Sequence, residues 1–174
     1  MNWTELLEQE VNQTFAVTEA LMDWVEDDEL DWKPTLGTNW MTLSQLLLHL
    51  AQGCGQGCRA FVTGDWGIPE DLDLSQMSPD EMLPKAEEMP AVESVREAKR
   101  LLALDKRLAL KMIAQAGEKA LDTRSMTAPW DARERILGQW ILQSIAHLNQ
   151  HKGQLFYYLK LLGKPVHTFH LWGT

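Results

Sequence analysis

The sequence predicts an all-α protein, a four-helix bundle with one long crossover between its second and third helices. Three observations predict it. Four long segments carry apolar residues at a 3.6-residue period, each opens on a helix-start signal, and a proline-bearing stretch from Gly64 to Pro90 separates the second from the third. No β alternation persists long enough to make a strand, although Asp122 to Pro129 could pair briefly, and no internal repeat is visible.

The first helix opens at Asn2, a suitable N-cap, with Glu5 three residues on in the capping-box position. Leu6, Leu7, Val11, Phe15, Leu21, Met22 and Val25 then repeat until an acidic stop around Asp27 and Asp28. The second helix opens at Thr42, where Thr-Leu-Ser-Gln45 forms a capping box, and runs through Leu46, Leu47, Leu50 and Phe61 to Gly64. The crossover carries Pro69, Pro79, Pro84 and Pro90, with Ser78-Pro-Asp-Glu81 as the start signal of one short helix. The third helix begins at Ser94, with Glu97 in the box position, and continues past Leu101, Leu104, Leu108 and Met112 to Gly117. The fourth follows Asp131, with Glu134 three residues later, and ends at Gly163-Lys-Pro165, a glycine-then-proline stop. Short outer connections around a long middle one fit helices that do not simply alternate direction.

A chain of 174 residues is expected to form one domain, 1–174. Its formal charge of −9, with 16 basic residues scattered among 25 acidic ones, argues against nucleic acid or an anionic membrane as partner, since both demand clustered cations. Cys54 and Cys58 alone make no disulfide framework. The N-terminus is acidic without a signal-like apolar core, and no apolar run approaches the ~18 residues of a membrane span. A reducing cytoplasm is therefore the expected location.

His147 and His151 stand four residues apart on the fourth helix, so they differ by only ~40° and lie ~6 Å apart along its axis. One ion could reach both. Trp140, Ser144, Leu155, Tyr158 and Leu162 lie within ~80° of His147, which places the pair on the inward stripe. Two such rings are either core histidines satisfied by hydrogen bonds or ligands. His49 sits at the edge of the arc of Leu43, Leu46, Leu50 and Cys54, flanked by Gln45, Gln52 and Gln56, a position that suits a ligand facing a polar cleft. Three converging neutral imidazoles would make a divalent-metal site with room for water or substrate.

Gly53, one turn after His49, would let backbones approach, and Gly153 reads as close packing against a neighbouring helix or subunit. On a continuous helix Cys54 and Cys58 project ~140° and ~180° from His49, so they read as small buried hydrophobes. His167 and His170 belong to a mobile or packed tail, with a fourth ligand as the alternative. Tyr158 and Ser144 are candidates to orient an imidazole or substrate, against ordinary packing and helix back-bonding. Trp40 and Trp130 either pack or line a cleft. No phosphate loop, Gly-x-Ser-x-Gly elbow or His-Glu-x-x-His helix occurs; Leu148 and Asn149 occupy the inner positions of the histidine pair. The Glu81 to Glu97 run reads as solvated surface, since no Glu-x-x-His of a di-iron bundle is present.

Trp32-Lys-Pro34, Trp40-Met-Thr-Leu-Ser-Gln-Leu-Leu-Leu-His-Leu-Ala51 and His147-x-x-x-His-Lys-Gly-Gln-Leu-x-x-Tyr-Leu-x-x-x-Gly163 together resemble the DinB/YfiT-like superfamily over nearly the whole chain. The resemblance implies a four-helix bundle with a long middle crossover. It also implies a zinc, nickel or similar divalent ion held by one histidine of the second helix and two of the fourth, here His49, His147 and His151. A homodimer and a small-molecule substrate are further implications. Characterised relatives include transferases and isomerases that use a low-molecular-weight thiol, namely bacillithiol, mycothiol or glutathione. Lys152 stands where arginine is common, and no residue marks a thiol pocket. The expected function is thus a metal-dependent enzyme, either a thiol S-transferase or a metal-assisted hydrolase. The alternative is a non-catalytic, stress-related binding or scaffold protein with a structural metal or none. Because only neutral imidazole binds metal, the ion should be lost below about pH 6.

Overall fold

The computed structural model describes residues 2–69, 77–78 and 84–174. The body is made of α1 (Trp3–Met22), α2 (Leu43–Gln52), α3 (Gly55–Thr63), α4 (Val95–Thr123) and α5 (Leu137–Leu161). A hairpin of β1 (Ser125–Ala128) and β2 (Asp131–Ile136) joins α4 to α5, and a short α6 (Thr168–Trp172) follows. The architecture is mostly helical, as expected. The short helix expected from Ser78-Pro-Asp-Glu81 lies outside the described residues.

Local chemistry explains the helix starts. Asn2 Oδ1 accepts from Glu5 N at 2.9 Å, and Thr42 Oγ1 and Gln45 Oε1 exchange bonds with each other's backbone N–H groups. Ser94 Oγ accepts from Glu97 N at 3.1 Å, but the Glu97 carboxylate reaches one residue further back and accepts from Glu93 N. α1 stops at Met22, earlier than the acidic run, and the chain makes a 3-10 turn over Asp27–Glu29.

Contacts between helix ends set the directions. The start of α1 meets the end of α4, where the Glu118 carboxylate accepts from Trp3 N and Thr4 N at 2.9 Å, while Asp23 after α1 pairs with Lys99 near the start of α4. α1 and α4 are therefore antiparallel. Lys164, just beyond α5, pairs with Glu26 and Glu29 just beyond α1, and Asn149 donates to Thr14 midway, so α1 and α5 are parallel. Tyr158 near the end of α5 bonds the Met41 carbonyl before α2, while Phe61 of α3 stacks on Trp140 near the start of α5, so α2 and α3 oppose α5. The helices thus run up, down, down, up, the order that the long crossover permits.

Three boundaries differ from expectation. The second helix is two, interrupted at Gly53–Cys54, because Asp105 of α4 accepts from Cys54 N, Gly55 N and Gln56 N at 3.2, 2.7 and 3.1 Å and so caps a new helix there. The third helix does break at Gly117, whose φ of 70° is accessible to glycine, but helical structure resumes to Thr123 and brings Glu118 under α1. The fourth helix starts at Leu137 rather than after Asp131. Residues 131–136 are instead β2, paired antiparallel with β1 through Ser125↔Ile136 and Met126↔Arg135. Trp140 Nε1 donates to the Met126 carbonyl and the Arg135 guanidinium lies 4.6 Å from the Trp140 ring, so α5 itself fixes the hairpin.

The core joins Leu7, Val11 and Phe15 of α1 to Leu46, Leu50, Ile113, Trp140, Leu148 and Leu155. The tail packs: His170 stands edge-on to Trp24 at 5.2 Å and Gly173 lies against Val17. Glu87, Glu88 and Glu93 are exposed, as expected of a solvated run. Among the described residues no helix is long and apolar enough to cross a membrane.

Candidate metal centre

α2 presents His49 toward His147 and His151 on the facing stripe of α5, and all three side chains are half-buried. One nitrogen from each lies within 4.8 Å of the others. Ring centroids are 5.0 Å apart for His49 and His147, 4.3 Å for His49 and His151, and 4.6 Å for His147 and His151. The Nε2 atoms of His49 and His147 are 3.0 Å apart. Ligands bonded to one ion at about 2.0–2.1 Å stand about 3 Å from one another, so this spacing fits a shared ion. Among the described residues no other His, Cys, Asp or Glu joins the cluster.

Burial and the proximity of the other rings favour the neutral forms of His49 and His147. His49 is lowered to about 4, first by desolvation and then by His151 and His147; His147 is lowered by desolvation and then by His151. Neutral imidazole is the ligand form.

A hydrogen-bond chain orients the third ring. Tyr158 OH donates to the Met41 carbonyl at 3.0 Å and accepts from Gln154 Nε2 at 3.2 Å, which turns Gln154 Oε1 toward His151 Nδ1 at 2.9 Å. Oε1 can only accept, so Nδ1 carries the proton and Nε2 is the free donor atom. Tyr158 therefore acts one step removed, through Gln154, which sequence reasoning missed; its position between His151 and Tyr158 at helical spacing was the available signal. Replacing Gln154 with alanine should weaken zinc affinity about 10–100-fold, measured by competition with a chromophoric chelator. Unchanged affinity would remove Gln154 from this role.

Ser144 bonds back to the Trp140 carbonyl at 3.3 Å and touches no imidazole by a hydrogen bond. Gly53 permits the close approach of α5: a Cβ there would meet His147 Cδ2 at 3.2 Å. Gly153 does not serve helix packing within the chain, since a Cβ there would meet nothing within 4 Å. Cys54 and Cys58 are fully buried, as expected. His167 and His170 lie tilted against each other, with ring centroids 4.0 Å apart, and do not join the cluster. Lys152 is mostly buried, and desolvation lowers its pKa.

Two cavities adjoin the centre and a third lies beyond Gln154. One of about 470 Å³ includes Gly53, Ser144, His147 and Trp130, and one of about 320 Å³ includes His49, Gln52, Gln56 and Met89. A third of about 610 Å³, walled by Trp32, Trp40 and Tyr158, reaches Gln154 but none of the three histidines. Trp40 and Trp130 thus line clefts.

A family model described as the DinB superfamily matches residues 10–155. No curated protein matches the chain in sequence. Among solved structures, the chain is similar to a candidate member of the DinB family from Exiguobacterium sibiricum 255-15, with 20% identity, a TM-score of 0.62 and 98% of each chain covered. It is also similar to a DinB-like protein from Bacillus cereus ATCC 10987, with 14% identity, a TM-score of 0.64, and 94% of this chain and 97% of that one covered.

Proposed function

The chain belongs to the DinB superfamily, and from that premise we propose that it is a metal-dependent enzyme in which His49, His147 and His151 hold one divalent ion, zinc or nickel. The convergence of three imidazole nitrogens within 4.8 Å carries the reading. A bound divalent ion supplies Lewis acidity there, lowering the pKa of a coordinated water or thiol. The chain's own residues do the rest. Gln154 holds His151 in one tautomer, Gly53 lets α5 close on α2, and the cavities beside His49 and His147 admit a small molecule.

Structural zinc sites normally take four protein ligands. The cluster has three among the described residues, with His167 and His170 held elsewhere, and this favours an open, catalytic centre over a structural one. The reactions it supports are transfer of a small thiol to an electrophile and metal-assisted hydrolysis.

Elemental analysis of protein purified without a histidine tag should find about one divalent ion per chain. Acid should release it. His49 has a folded value lowered to about 4 from 6.5, so its neutral form, and the stability that goes with it, is fully present above about 6.5 and lost as pH falls through about 4. Release measured by dialysis against chelator should therefore begin near pH 6, as sequence reasoning expects, but burial carries its completion down to about pH 4. Full retention below pH 4 would exclude an all-imidazole ligand set. Stabilisation by thiols or electrophiles in a thermal-shift assay only when metal is present would support the enzyme; identical shifts without metal would count against it.

A further inference from the structure

Of the three cavities, the one on the His147 side joins an aromatic wall to a histidine of the cluster. Its volume of about 470 Å³ falls in the range of small-molecule sites. One wall is aromatic: Phe61, nearly fully buried, meets Trp66 edge-on at 4.7 Å and Trp130 at 6.3 Å, and Trp66 braces Trp130 at 5.1 Å. Trp130 occupies the hairpin turn between β1 and β2, is 58% exposed, and so offers a large apolar surface at the cavity mouth.

The opposite wall is one turn of α5 carrying Gln143, Ser144 and His147. Among the described residues no Lys, Arg, Asp or Glu lines the space. Arg135 approaches from outside, where its guanidinium bonds the Gln143 carbonyl oxygen and is shared with Asp131 and the Trp140 ring. It orients the amide and is not itself among the lining residues. The space exists because α3 has glycine where it faces α5. A Cβ at Gly57 would stand 2.9 Å from Ser144 Oγ, besides the Gly53 contact with His147.

We propose that this cavity is the substrate pocket and takes an uncharged, planar aromatic compound, its ring lying against the exposed face of Trp130 beside Phe61 and its polar end facing the three imidazoles. The assignment of that end rests on the metal-centre reading; the ring selectivity does not. Aromatic walls favour a flat π-system over a saturated ring of equal size, and an uncharged lining offers no compensation for desolvating an ionic group.

Ligand-observed NMR tests this with 2-naphthol, decahydro-2-naphthol and 2-naphthalenesulfonate, on protein with and without added zinc. The protein should bind 2-naphthol about fivefold to tenfold more tightly than the saturated bicycle and more tightly than the sulfonate. Trp130→Ala should abolish the preference, and Trp130→Phe should restore most of it. Equal affinity for the two bicycles, tighter binding of the sulfonate, or unchanged 2-naphthol binding by Trp130→Ala would overturn the proposal. Zinc stoichiometry is read separately. Ring selectivity without zinc binding sinks the metal centre and keeps the pocket, and zinc binding without ring selectivity does the reverse.

Discussion

His147→Ala should lose stoichiometric zinc binding, and the double variant His147→Ala/His151→Ala should bind none above background. The site draws two of its three nitrogens from α5, and His147 Nε2 lies 3.0 Å from His49 Nε2, so removing this ring leaves only the two donors of His49 and His151. Loss of affinity should exceed the about 10–100-fold expected for Gln154→Ala, because a ligand and not its support is removed. The metal-free variant gives a second readout. His147 contributes to the lowered pKa of His49, so the remaining His49 should titrate closer to its ordinary 6.5 when followed by NMR. Stoichiometric zinc in the double variant would overturn the ligand set.

Asp105→Ala should be the most damaging substitution for stability outside the hydrophobic core. Asp105 is 4% exposed and its carboxylate serves three backbone N–H groups, those of Cys54, Gly55 and Gln56. Each donor left buried without a partner costs about 1–3 kcal/mol, and with partial compensation by water the total should reach about 3–5 kcal/mol, measured by urea unfolding. A loss below about 1 kcal/mol would show that the break between α2 and α3 does not depend on this cap. Burial raises the Asp105 carboxyl to about 6 from 3.8, despite the opposing pull of the three N–H bonds. The sign is that of a raised acid: the native fold favours the protonated form, so relative to Asp105→Asn the native protein should lose stability as pH rises from about 3.8 through about 6.

The histidine cluster was legible because an i, i+4 pair shares one face of any helix, and because His49 stood at the edge of a second apolar arc. Gln154 was overlooked for a physical reason: an exposed glutamine and a bridging one have the same composition and spacing, and only the position of the Met41 carbonyl and Tyr158 OH distinguishes them. The hairpin was half-seen. Residues 122–129 were open to brief pairing, whereas 131–136 satisfied a helix-start pattern that lost to pairing with β1 and anchoring by Trp140.

The sequence by itself determined the helical class, the start signals at Asn2, Thr42 and Ser94 and the shared face of His147 and His151, because each depends on interactions within a few turns of one segment. Tertiary structure alone decided where the second helix breaks, where the fourth begins, and what surrounds the centre. Those outcomes depend on groups distant in the chain, such as Asp105 reaching Gly55 and Trp130 reaching Phe61, and no local pattern encodes a contact between residues fifty or more positions apart.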